Sequence, residues 1–196
     1  LYIFAALFKT DARSNEAGLK YFLLGAFASG FLLFGISILY GLTGTTNLFA
    51  LSQAAATFEA NAVLFFASTG LILVGFLFKV AAFPFHNWTP DVYEGAPTPI
   101  AGFMATGSKM AAFIALGLFL NNIDFTSYDK LIFVIALTAL FTMIYGNYVA
   151  ARQDNLKRML AYSSIAHTGY VLLGICAGEA GFMAVIFYMF IYTLMN

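Results

Sequence analysis

Charge is what this sequence has least of. Only 9% of its 196 residues are charged, against roughly 25% in an ordinary soluble domain, so water cannot be the main solvent of the folded chain. Nine Lys and Arg balance nine Asp and Glu. That zero net charge leaves no basic surface for nucleic acid or an acidic polymer. Cysteine is nearly missing too. A lone Cys176 excludes a disulfide framework and a cysteine-built zinc or iron-sulfur site, and its place inside an apolar run reads as packing. No Gly-rich turn of the dinucleotide-binding type occurs. There is no initiator Met, no charged leader and no cleavage signal. Leu1 opens inside one apolar run and Asn196 closes another, so both ends are expected to be cut from a longer chain.

What is abundant is apolar. Hydrophobic residues make up 62% of the chain, with 23 Phe and 11 Tyr, gathered in blocks close to the roughly 20 residues a helix needs to cross a bilayer. The blocks lack the period-2 alternation of a membrane barrel, and in lipid only helices or closed barrels satisfy their backbone. The expected fold class is therefore all-α, a polytopic transmembrane helix bundle. Leu1–Phe8 reads as the last turns of a helix. Spans follow at Ala17 to about Leu42, Asn61–Phe78, Ile100–Leu120, Leu131–Ala151, Leu156–Ala177 and Ala180 to the end. About seven spanning segments, the first and last incomplete, form one transmembrane domain over residues 1–196. Ser14-Asn15-Glu16 reads as a helix start, Asn47–Ala60 as a stretch along the membrane surface, with the next segment beginning near Glu59, and Asn121–Asp129 as a polar turn. Pro84 removes a donor and clashes with the preceding turn, so the third segment is expected to break near Lys79–Pro84, with a second piece over His86–Glu94.

When the segments alternate sides, Lys9, Arg13, Lys20, Arg152, Lys157 and Arg158 share one face and Lys130 stands on the other. The positive-inside tendency places the first group toward cytoplasm or mitochondrial matrix. Trp88 and several tyrosines fit an interfacial aromatic belt. Glu16, Glu59 and Glu179 fall at helix starts, where negative charge complements the dipole; Asp124 and Asp129 occupy a turn. Asp91 and Glu94 read first as caps of the short helix, with binding of backbone donors or a proton entrance as the other readings.

Two lysines remain in apolar surroundings. Lys109 lies ten residues past Pro99, hence about 15 Å into the membrane at 1.5 Å per residue. An ammonium there costs at least ~2.5 kcal/mol on insertion scales, and its default reading is functional. Gly102, Ala105, Thr106 and Ala112 share its face, either as room for water or as tight helix packing. Lys79 precedes the expected break. It either neutralises a helix C-terminus or exchanges protons beside a cavity. The only two histidines are His86, after the break, and His167, on a face with Ser163, Ser164, Tyr170 and Gly174. Each is a candidate proton relay or a hydrogen-bonded core residue. Thr138, Thr142 and Tyr145 form a thinner polar stripe. Lys79, Lys109, His86 and His167 are thus the candidate proton-relay set.

The run Phe78-Lys79-Val80-Ala81-Ala82-Phe83-Pro84-Phe85-His86-Asn87-Trp88-Thr89-Pro90-Asp91-Val92-Tyr93-Glu94-Gly95-Ala96-Pro97-Thr98-Pro99 closely resembles the subunit N family of bacterial NADH-quinone oxidoreductase (respiratory complex I) and its mitochondrial counterpart. So do Ser108-Lys109, Glu16-Ala17-Gly18-Leu19-Lys20-Tyr21-Phe22 and the stretch from Asn155 to Tyr170. Paralogous subunits and multisubunit cation/proton antiporters read Trp-Leu-Pro where this chain has Trp88-Thr89-Pro90, which favours the subunit N type. The resemblance implies an antiporter-like bundle with broken helices, and proton translocation through Lys79 and Lys109 coupled to quinone chemistry elsewhere. It implies a partner glutamate before Leu1 and a further lysine beyond Asn196. It also implies NADH, FMN, iron-sulfur clusters and quinone in partner subunits, none in this chain. Neighbouring antiporter-like subunits and the lipid of a bacterial or mitochondrial inner membrane would be the surroundings. A subunit of a multisubunit cation/proton antiporter is the alternative.

Overall fold

The computed structural model describes residues 1–51, 53, 60–123 and 129–196. Among the described residues there is no strand. The helices are α1 (Tyr2–Ala5), α2 (Ala12–Thr43), α3 (Leu48–Leu51), α4 (Ala62–Val80), α5 (Trp88–Gly95), α6 (Thr98–Asn122), α7 (Asp129–Ala150), α8 (Leu156–Ile175) and α9 (Gly178–Met195). Five of them, α2, α4, α6, α7 and α9, are long and apolar enough to cross a membrane. The chain is a multi-pass membrane protein. Its flanks are apolar outward, with Phe22, Phe27, Phe31, Phe34, Phe133 and Phe187 all exposed, as lipid rather than water requires.

Helix α2 begins earlier than its Ser14-Asn15-Glu16 signal suggested. Asp11 is the cap, its carboxylate accepting from the Arg13 amide at 3.0 Å, which satisfies a first-turn donor. Ser14 instead points inward and donates to the Ala5 carbonyl at 3.1 Å, tying α1 to α2. α2 stops at Gly44, whose φ of 68° closes the last turn. Of the expected surface stretch only α3, Gln53 and Ala60 are described; Glu59 and most of that stretch lie outside the described residues, as does Asp124 in the expected polar turn.

α8 has too many polar groups for a lipid-facing span, and it turns them inward: Ser164 and Thr168 are buried. Its neighbour α7 lies so close that a Cβ on Gly146 would meet the Ala166 amide at 2.6 Å, and one on Gly169 the Ala139 carbonyl at 2.9 Å. Small residues let two backbones touch in the membrane, where apolar side chains gain little from each other over lipid.

The break falls where Pro84 placed it. α4 ends at Val80, Ala81 takes a left-handed φ of 61°, the Phe83–Pro84 peptide is cis, and the chain becomes helical again at Trp88. A break inside hydrocarbon leaves backbone groups that must find partners. Here three neighbours supply them. Trp88 Nε1 donates to the Phe78 carbonyl at 3.0 Å, Thr168 Oγ1 donates to the Val80 carbonyl at 2.7 Å, and the Phe83 amide donates to Thr142 Oγ1 at 3.0 Å. Trp88 is therefore not part of an interfacial belt. It is 3% exposed and stacks on Tyr21 with ring centroids 4.8 Å apart, because its indole N–H is needed at the break.

Candidate functional site

Lys109 is among the largest fully enclosed side chains, 2% exposed. The five residues before it, Met104–Ser108, form a π-helical turn inside α6, an irregularity that recurs at functional sites. Its ammonium donates to Ser164 Oγ at 2.7 Å, to the Ser164 carbonyl at 3.0 Å and to Thr168 Oγ1 at 3.1 Å. All three acceptors are neutral. Among the described residues no carboxylate pairs with it.

Ser164 and Thr168 sit four residues apart and so share one face of α8. Thr168 reaches two ways at once, toward Lys109 and toward the Val80 carbonyl at the end of α4. The residue before Val80 is Lys79, half-buried, with its ammonium 5.7 Å from the centre of the Tyr2 ring, within cation–π range. Tyr2 has space because the residue facing it on α2 is Gly25.

The two histidines lie apart from one another in character. His86 is buried in the loop after the break, its ring 4.5 Å from Tyr145 and 5.5 Å from Phe83. His167, next to Thr168 in α8, is half-buried and hydrogen-bonds through Nδ1 to the Tyr188 hydroxyl of α9. Its ring lies 5.0 Å from that of Tyr192, and it borders a cavity of about 510 Å³ with Phe187, Tyr188 and Ile191. Of the Thr138–Thr142–Tyr145 stripe on α7, two members meet the break, Thr142 holding the Phe83 amide and Tyr145 the His86 ring, while Thr138 donates to the Val134 carbonyl of its own helix.

A second polar region lies where the basic residues were expected to gather, but its pairing with Asp91 and Glu94 was not anticipated. Asp91 and Glu94 of α5 do not cap that helix, whose start has no side-chain cap. Asp91 pairs with Lys20 and with Arg158, each at 2.7 Å; Glu94 pairs with Arg158 at 3.0 Å and Arg13 at 3.5 Å. Asn155 donates to Glu94 at 3.1 Å and Lys157 to the Ala96 carbonyl at 3.1 Å. This knot fastens α5 to α2 and α8 and gathers Arg13, Lys20, Lys157 and Arg158 at one end of the bundle.

Ser164 and Thr168 are the residues that sequence reasoning undervalued. Their signal was a serine and a threonine four apart in an apolar span, but nothing local named Lys109 as their target. Among the described residues no group of three or more His, Cys, Asp or Glu is placed to hold a metal ion.

A family model described as NADH:quinone oxidoreductase/Mrp antiporter, TM matches residues 1–196. NADH-quinone oxidoreductase subunit N 1 of Chloroherpeton thalassium is 50% identical over 202 residues, covering 100% of this chain and 42% of that relative. The chain thus spans well under half the length of the curated relatives it matches. A chain of respiratory complex I from Thermus thermophilus superposes with a TM-score of 0.77 at 40% identity, over 97% of this chain and 40% of that one. A chain of the Mrp complex from a Dietzia species superposes with a TM-score of 0.83 at 25% identity, over 93% of this chain and 34% of that one. With these solved structures superposing on it and every residue of the sequence inside the family model, the chain belongs to the NADH:quinone oxidoreductase/Mrp antiporter transmembrane family.

Proposed function

We propose that the chain is the middle of a subunit that carries protons across an energy-transducing membrane within an NADH-quinone oxidoreductase, with Lys109 as the principal exchanging group. The observation that carries this is the Lys109 ammonium, enclosed in the bundle and held, among the described residues, by the oxygens of Ser164 and Thr168. Burial without a counter-charge penalises the protonated form of a lysine. Neutral acceptors offset part of that penalty without locking the proton in place as a carboxylate would. Such a group can accept a proton from one side and release it to the other.

Lys79, His86 and His167 are the remaining members of the relay. Thr168 joins the Lys109 end to the backbone beside Lys79, and His167 continues from Thr168 toward Tyr188. The subunit works passively. Electron transfer from NADH to quinone, through FMN and iron-sulfur clusters, takes place in partner subunits, and no redox centre lies in this chain. Its partners are the other membrane subunits, above all neighbouring antiporter-like ones, and its place is the inner membrane of a bacterium or mitochondrion. Residues 1–196 form one transmembrane domain of that longer subunit.

The test is NADH-driven proton uptake into inverted membrane vesicles carrying the intact complex, with Lys109→Ala and Lys79→Ala variants normalised to assembled complex. Loss of uptake in assembled variants is the expected result; wild-type uptake in both sinks the mechanism. A second reading, a subunit of a multisubunit cation/proton antiporter, draws on the similarity to the Mrp chain. Transport that depends on sodium rather than on NADH would favour it.

A further inference from the structure

Among the described residues no carboxylate pairs with the Lys79 ammonium. What stands against it is an aromatic ring, that of Tyr2, with its centre 5.7 Å away. That ring is held from several sides. Tyr2 is half-buried in α1, and the Ser14 hydroxyl ties α1 down by donating to the Ala5 carbonyl at 3.1 Å. The ring meets Tyr21 edge to face at 4.5 Å and Phe22 at 5.8 Å. Tyr21 stacks on Trp88 at 4.8 Å, and Trp88 lies 5.3 Å from the Phe78 ring while its indole donates to the Phe78 carbonyl. Tyr21, Trp88 and Phe78 are all buried. Phe78 immediately precedes Lys79, so the line of rings runs from α1 through α2 and α5 and returns to the lysine it started from.

Gly25 completes the seat. A Cβ there would come within 2.8 Å of Tyr2 Cε1 and Cζ, so a larger residue would push the ring from its place. A leucine could fill an apolar seat; what it lacks is the negative ring face that attracts a cation. The attraction also discriminates between protonation states. A ring face holds the ammonium without accepting its proton, and the hold vanishes for the neutral amine. A carboxylate in the same place would add a charge-assisted hydrogen bond and hold the protonated form more firmly.

We propose that Tyr2 is a positioning residue for Lys79. Its ring holds the lysine side chain at the end of α4 while the amine carries a proton and lets it go once the proton has left, and Gly25 with the Tyr21–Trp88 stack holds the ring. The proposal rests on the reading of Lys79 as a member of the relay. It gives α1 a task beyond packing, and it makes the reach of the Lys79 side chain depend on the charge the side chain bears.

The experiment uses the intact complex in inverted vesicles and reads NADH-driven proton uptake per assembled complex. Tyr2→Phe keeps the ring face. A phenylalanine fluorinated around its ring, placed at the same position, keeps that shape but drains the face of negative charge, so the attraction fades while packing stays. Uptake should remain within about twofold of wild type in Tyr2→Phe and fall about threefold to tenfold in Tyr2→Leu and in the fluorinated variant, as loss of a cation–π contact in a desolvated site implies. Gly25→Ala should lower uptake too, and adding it to Tyr2→Leu should lower it no further, because the ring it displaces is already gone. Phe4→Leu, on the exposed side of α1, should stay near wild type. Uptake near wild type in Tyr2→Leu, or equal in Tyr2→Phe and the fluorinated variant, makes the ring mere packing and overturns the proposal; so does a loss in Tyr2→Phe as deep as in Tyr2→Leu, which would put the hydroxyl in place of the ring. If Tyr2→Leu does not assemble, the fluorinated variant decides. Lys79→Ala is measured in parallel, and normal uptake there defeats the underlying reading instead.

Discussion

The ion-pair knot at one end of the bundle and the Lys109 pocket inside it both hold cations, under opposite rules. In the knot three of the four cations have anions: Arg158 touches Asp91 and Glu94, Lys20 touches Asp91 and Glu16, and Arg13 touches Glu94, while Lys157 donates to the Ala96 carbonyl. In the pocket the cation has, among the described residues, two hydroxyls and a carbonyl. Paired charges at a partly wet surface hold helices in register, and their protons stay put. An unpaired charge enclosed in the bundle contributes little to holding it together and exists at a cost, so its presence asks for a task. On the proposed reading of Lys109, the comparison separates charges that build from charges that move.

The strongest way to break that separation is Lys109→Met. A methionine fits an apolar enclosure, and replacing a buried charge by an apolar residue is often neutral or stabilising. We expect proton uptake to fall about tenfold or more, as removal of a positioned proton-transfer group does, while thermal denaturation of the purified complex occurs no earlier than in wild type. Retained pumping with lost stability would place Lys109 among the building charges. Next in size is the double variant Ser164→Ala with Thr168→Val, which leaves Lys109 in place but strips both its hydroxyl partners; uptake should drop by roughly threefold to tenfold, and an unchanged rate would mean that the lysine works without them.

From the knot, Arg158→Met leaves Asp91 and Glu94 without their shared partner. Charge-assisted hydrogen bonds are worth about 1.5–3 kcal/mol, so denaturation should come measurably earlier while uptake per assembled complex stays within about twofold of wild type, short of the loss expected of a relay group. A pumping defect without a stability defect would make Arg158 a proton-path residue. The smallest effect belongs to Lys20→Met: Lys20 is 40% exposed, and pairs of that kind contribute about 1 kcal/mol or less. That difference should shrink as salt is raised.

How much of this could be read from the residues differs between the two regions. Lys109 stood out because a mid-span lysine violates the composition around it, and the break stood out because Pro84 cannot continue a helix. Both signals are local. Asp91 and Glu94 looked like caps because their partners, Lys20, Arg158 and Arg13, lie 64 to 81 residues away, and no local pattern carries that distance. Thr168 was invisible for the same reason: its two partners, Lys109 and Val80, belong to other helices. Trp88 looked interfacial because amphipathic aromatics favour that layer; the demand for an indole donor exists only once α4 has stopped and exposed the Phe78 carbonyl. The π-helical turn before Lys109 left only a hint, the small residues Ala105, Gly107 and Ser108.

The interruption between α4 and α5 stands on a tripod. Its legs are the indole of α5, the threonine of α8 and the threonine of α7, each planted on a different backbone group. No leg can advance along its axis by a helical turn, about 5.4 Å, without letting go of its footing. The gap that would be the softest place in a membrane span is thus surveyed from three directions, and its position is fixed by triangulation.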